Sequence, residues 1–189
     1  MWKLTLIWIV LFFLVVVGCF NSGSGRPSQE EVSPPAKIHI SDPLRQKVSE
    51  AQVQFQEQFC KLLLSEAPRI RELVEINRDL QIAYIHRRDM RYEHFWSHDP
   101  ERINMTDGHM EWLNWDWTEQ DEQALFSDSS VYAQLQDRIS ELKGRNKEHP
   151  MWPEAREEFS RMKEDTRLKA IEERFQKVLE EIDRELQSR

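Results

Sequence analysis

The strongest constraint on this chain is the spacing of its apolar residues. From Pro43 onward they recur every three or four positions, except between Ser97 and Ser130, where no clean period shows. Glycine, at five in 189 residues, is too scarce for a fold built on tight turns. Leu44, Val48, Ala51, Phe55, Phe59 and Leu62 form one stripe. Ser41 or Asp42 can cap that helix, and Pro43 suits its first turn. Pro68 should break or kink it near Ser65. A second run, from Arg69 to about Trp96, carries Ile70, Leu73, Ile76, Leu80, Ala83 and Tyr84. There Val74, Ile82 and Ile85 widen the face toward more than one neighbour. A third helix is expected from about Ser130 to Lys143, with Val131, Leu135, Ile139 and Leu142 on one side and Gly144 placed to end it.

The last helix is expected to start near Pro153 and reach Leu186. Its seam is Phe159, Met162, Leu168, Ile171, Phe175, Val178, Ile182 and Leu186. Glu157–Arg161, Asp165–Lys169, Glu173–Lys177, Glu180–Arg184 and Glu185–Arg189 all place the acid four residues before the base. Together such pairs stabilise a helix by about 1–2 kcal/mol, too little to hold a fold. From Leu168 to Ile182 the spacing is that of a coiled coil, but Thr166, Lys169 and Glu185 interrupt a strict heptad. Packing onto the other helices therefore ranks ahead of a dimer seam. No strand pattern or internal repeat stands out. The expected fold is all-α: a bundle of about four helices with a long C-terminal helix and an irregular Trp-rich acidic insertion at about 97-130, within a helical domain spanning 43-189. A charged fraction of 32% suits such a fold.

The insertion is the most unusual stretch. Glu93 to Ser130 holds ten acidic residues and one basic, Arg102, together with Trp96, Trp112, Trp115 and Trp117. Indole faces beside carboxylates and amides suit a sugar, whose C–H faces stack while its hydroxyls find acceptors. They equally suit a cationic peptide, through cation–π and charge attraction. Trp112, Trp115, Trp117 and Asp116 are thus the candidate ligand surface. The competing reading has Trp112, Leu113 and Trp115 plugging the open end of the bundle with the acids in water.

Other chemistry is poorly signalled. Asn114, Asp116 and Thr118 mimic the start of an EF-hand loop, but Glu119 stands where the turn glycine belongs and Leu125 where the bidentate Glu belongs. His94 and His98 share a helical face and His109 follows, yet Phe95 replaces the Glu of a zinc-hydrolase motif. No metal or cofactor site is expected. Arg87, Arg88 and Arg91 make a small basic patch that reads first as a solvated face, with lipid headgroups or the acidic insertion as other contacts. No nucleophile elbow, phosphate loop or Cys–His pairing appears, so no catalytic residue is nominated. The net charge of −8 makes nucleic acid a poor partner. Cys60, beside Phe59 and Leu62, reads as a buried inert thiol.

The N-terminus gives an address. Met1-Trp2-Lys3 is a cationic start, and Leu4 to Gly18 is apolar except for Thr5. As a helix, Leu4 to Phe20 spans roughly 25 Å, a little short of a hydrocarbon core of ~30 Å. Val16-Val17-Gly18-Cys19 resembles the lipobox of bacterial lipoproteins. The resemblance implies a signal peptide over 1-18, cleavage after Gly18 and a diacylglyceryl group on Cys19. Phe20 in place of Asp gives no inner-membrane retention signal. An uncleaved single-pass anchor without lipid is the alternative. Residues 19-42 then form a lipidated or plain linker with ends roughly 25 Å apart as a flexible coil. The expected protein is membrane-anchored and extracytoplasmic, on the periplasmic face or the cell surface. Its expected role is structural or adaptor, with a protein partner or self-association; second comes recognition of cell-wall glycan or a cationic protein; an enzyme of unseen type is third.

Overall fold

The structure, a computed structural model, describes residue 40, residues 42–98 and residues 117–188, with backbone alone at 95–98 and 186. The leader, Cys19 and nearly all of the linker lie outside the described residues, as do Trp112, Trp115 and Asp116. The described chain is an all-α body of six helices. Helix α1 (Pro43–Glu66) begins as its sequence requires: Asp42 caps it by accepting the Leu44 N–H at 3.0 Å, and a proline occupies its first turn. It ends where Pro68 opens a 3-10 turn, Pro68–Ile70, that leads into α2 (Arg71–His98). Helix α3 (Glu119–Asp128) starts with a capping box in which Thr118 and Asp121 satisfy each other's backbone N–H groups. Ser129 ends α3 and caps α4 (Ser130–Lys147) through the Tyr132 N–H. Helices α5 (Trp152–Met162) and α6 (Thr166–Gln187) complete the body.

The extensive packings are α6 on α1, α1 on α2 and α2 on α4. The four long helices therefore stand in the order α6–α1–α2–α4, and the two central ones bury apolar side chains on two sides. This is the double-faced pattern that Val74 and Ile85 signal in α2. Helix α3 leans on α4, and α5 closes one end against α1 and α2.

Several local expectations change. The C-terminal segment is two helices, because Asp165 accepts the Arg167 backbone N–H at 2.7 Å and starts a new helix. Hydrogen bonds from Arg167 hold the Asp165 carboxyl near a pKa of about 2. On α6 the buried seam is Leu168, Ile171, Phe175, Leu179 and Ile182, which leaves Val178 exposed. The stripe of α4 likewise rotates by one residue: Tyr132 is buried and Val131 is exposed. Gly144 lies inside α4, which runs to Lys147, and a Cβ placed there would meet nothing within 4 Å. The pairs Glu157–Arg161 and Asp165–Lys169 give way to Arg161 with Glu158 and Lys169 with Glu164 at 3.1 Å; Glu185 pairs with Lys47 at 2.6 Å, and Arg189, its expected partner, lies outside the described residues.

The two ends of the body differ in chemistry. At one end Cys60, Leu63, Ile70, Leu73, Ala155, Met162 and Leu168 form an apolar cluster, with Phe59, Trp152 and Phe159 packed against it. At the other end, where α1 begins and α2 finishes, the charged and polar side chains Asp42, Arg45, Ser49 and Asp89 are buried beside Leu44, Val48 and Ile85. No helix among the described residues is long and apolar enough to cross a membrane.

Candidate functional site

The polar end is built from two networks. The first joins α1 to α2. Arg45 and Asp89 form an ion pair with both side chains almost wholly buried, and Ser49 donates its hydroxyl to the same carboxylate. Arg88 lies 3.9 Å from Asp89 and donates to the Gln52 side-chain oxygen. Burial lowers the Arg88 pKa to about 10 against the pull of Asp89, and lowers that of Arg45 as well. Above this group, Tyr92 donates to Asp42 at 2.8 Å, and the Arg45 guanidinium lies 5.4 Å from the Tyr92 ring centre. Asp42 therefore holds the start of α1 in two ways, as helix cap and as acceptor for α2.

The second network joins α2, α3 and α4 through one carboxylate. Glu122 accepts from Arg91 Nη2 at 2.6 Å, Trp117 Nε1 at 2.6 Å and Gln136 Nε2 at 2.6 Å, and the Tyr132 hydroxyl lies 2.9 Å from both its oxygens. The Tyr132 oxygen in turn accepts from Arg91 Nε at 2.9 Å and Gln136 Nε2 at 2.8 Å. The Arg91 guanidinium also sits 4.7 Å from the Trp117 ring centre, and His94 meets that ring edge-on at 6.0 Å. Burial pushes the Glu122 carboxyl upward, but the bonds from Tyr132 and Trp117 and the charge of Arg91 outweigh it and hold the group below the ordinary glutamate range. Burial raises the Tyr132 hydroxyl, which keeps it protonated as a donor. A carboxylate held ionised by this many donors has no proton to give and little acceptor capacity left. Its chemistry is fastening rather than acid or base catalysis.

These networks gather some of the sequence candidates and leave others apart. Trp117 is part of the second network, with its indole N–H and ring engaged inside the fold. Trp112, Trp115 and Asp116 lie outside the described residues, as do Cys19, His109 and the His98 side chain. The basic patch is not a solvated face. Arg88 and Arg91 are drawn into the two networks, and Arg87 lies 5.0 Å from the Tyr84 ring centre. Among the described residues no group of three or more His, Cys, Asp or Glu side chains is arranged to hold a metal ion. Cys60 is buried and unpaired by any disulfide, and burial pushes its thiol up.

Glu122, Tyr132 and Gln136 escape sequence reasoning. Glu122 is one of ten acids in its stretch, and Tyr132 has an ordinary helical spacing. The usable signal is the Thr118-x-x-Asp121 box, which fixes where α3 starts and so which acid faces α2. No family model matches this chain, and neither a curated protein nor a solved structure matches it.

Proposed function

We propose that this chain is a cell-envelope lipoprotein, anchored through Cys19, whose helical body acts as an adaptor by binding another protein at its polar end. The observation that carries the proposal is a juxtaposition. The linker enters the body at Asp42, which is bonded to Tyr92. The chain leaves α2 at His98 and returns at Trp117, which is bonded into Glu122 and stacked by Arg91. The tether and both borders of the Trp-rich acidic stretch therefore meet the folded body at one end. In this reading the partner docks at that end of the body. Phe126, half exposed on α3, and Val131 on α4 add apolar surface at the same end.

The rival role, recognition of glycan or a cationic protein by the tryptophans, keeps Trp112, Trp115 and Asp116 as its contacts. Trp117 serves it less well, because its ring already carries Arg91.

Site-specific photo-crosslinking in intact cells tests the proposal. A crosslinking residue at Phe126 should give a discrete protein adduct, and one at exposed Arg69, at the other end, should not. Adducts from Arg69 alone, or from neither position, would contradict it.

A further inference from the structure

The Glu122 network has the anatomy of a binding site that already holds a ligand. Its receptor half is made by two of the long helices: Arg91 from α2, and Tyr132 and Gln136 from α4. These three side chains also position one another, since the Tyr132 oxygen accepts from both Arg91 and Gln136. The cradle is thus tied together apart from the carboxylate it holds. Tyr132 is fully buried, and α2 and α4 share the apolar cluster of Ile76, Leu80, Leu135, Ile139 and Leu142. Pre-organised donors on a rigid frame are what a carboxylate-binding site requires.

The ligand half is much more loosely held. Helix α3 has ten residues and buries one apolar side chain, Leu125, while Phe126 is 50% exposed. Its ties to α2 run through polar groups, Glu122 to Arg91 and Trp117 beneath the same guanidinium. A short helix with so little apolar burial belongs to the low-stability class of elements that open locally without global unfolding.

We infer that Arg91, Tyr132 and Gln136 form a carboxylate-binding cradle that the chain's own Glu122 and Trp117 occupy as an internal ligand, and that α3 is a latch whose opening lets an acidic, tryptophan-bearing segment of a partner protein take their place. The class of partner follows from the occupant: a carboxylate for Arg91 and Tyr132, and an aromatic ring to lie against the guanidinium. A tethered ligand competes at an effective concentration on the order of millimolar, so the closed latch masks the cradle until α3 is displaced. This inference deepens the binding role proposed above without depending on the lipid anchor. A failure of crosslinking at Phe126 would remove that role and leave the cradle measurements below unaffected.

The test uses the full chain in detergent and, as probe, a labelled synthetic peptide copying residues 115–128. Binding by fluorescence anisotropy should be at least about tenfold tighter to the Glu122→Ala chain than to the wild type, because the internal competitor is gone. Adding Arg91→Ala should remove that gain, and a probe carrying Glu122→Gln should lose it too. Equal binding to both chains, or a gain that survives Arg91→Ala, would overturn the inference. Hydrogen exchange on the wild-type chain decides the latch without any variant. Amides of residues 123–128 should exchange at least about tenfold faster than those of residues 135–142. Exchange of both stretches in one cooperative step would overturn it.

Discussion

The two ends of the helical body solve the same problem with opposite materials. At the α5 end, Leu63, Ile70, Leu73, Ala155 and Met162 exclude water; the buried polar pairing there is the neutral amide pair Asn77–Asn146, and ion pairs such as Arg167 with Glu66 at 2.9 Å lie toward the outside. At the Asp42 end, the helices meet through Arg45, Asp89, Ser49, Tyr92 and the Glu122 network. Apolar burial stabilises in proportion to area and is non-directional, needing no specific partner for each group. Buried ions are different: their attraction roughly offsets the loss of hydration, so they add little net stability and are costly to break singly. The apolar end therefore supplies stability. The polar end supplies position, and it positions the borders of the least ordinary stretch of the chain.

That contrast can be broken in graded steps. The largest effect is expected from Asp89→Ala, which leaves a buried guanidinium without its carboxylate and should destabilise by about 3–5 kcal/mol in urea unfolding. Leu63→Ala at the apolar end should cost about 2–5 kcal/mol by cavity formation. Rescue separates the two. Replacing both partners, as in Arg45→Met with Asp89→Leu, should recover most of the loss. No second apolar truncation should rescue Leu63→Ala, and if the double replacement stays as unstable as Asp89→Ala, the polar end contributes net stability after all.

A smaller effect belongs to acid. Because the folded-state pKa of Glu122 lies below its unfolded value, its contribution is present in full above the ordinary glutamate range and is lost as pH falls through the lower folded value. The α3 amides should thus lose protection below about pH 4.5, before α2 and α4 do, as read by exchange at several pH values. Glu122→Gln should remove that pH step; a step that persists in the variant would place its origin elsewhere. The smallest effect is a gain. Gly144→Ala, inside α4 with open space around the new methyl group, should stabilise by about 0.5–1 kcal/mol in thermal unfolding. A loss would mean that the helix stops near Gly144.

Much of this architecture is legible in the sequence because it follows from period and punctuation. Asp42-Pro43 and Pro68 mark their helix boundaries, and the stripe from Leu44 through Phe55 is buried as its spacing requires. The C-terminal break is harder to read. The apolar seam continues from Met162 to Leu168 on either side of Asp165, and only the cap geometry shows the helix restarting. One-residue rotations, such as Val131 for Tyr132 and Val178 for Leu179, arise because two adjacent apolar residues fit the same stripe and the neighbouring helix chooses between them. The polar networks are the least legible part. Arg45 and Asp89 lie 44 residues apart, and nothing local distinguishes a buried charge from a solvated one.

The functional account stands on the tether, and the intact mass of the protein extracted from native membranes tests it most directly. A chain that begins at Cys19 and carries a diacylglyceryl group, with both features lost in Cys19→Ser, is the expected result. A protein of the full 22.8 kDa, unchanged in mass and membrane attachment by Cys19→Ser, would contradict it.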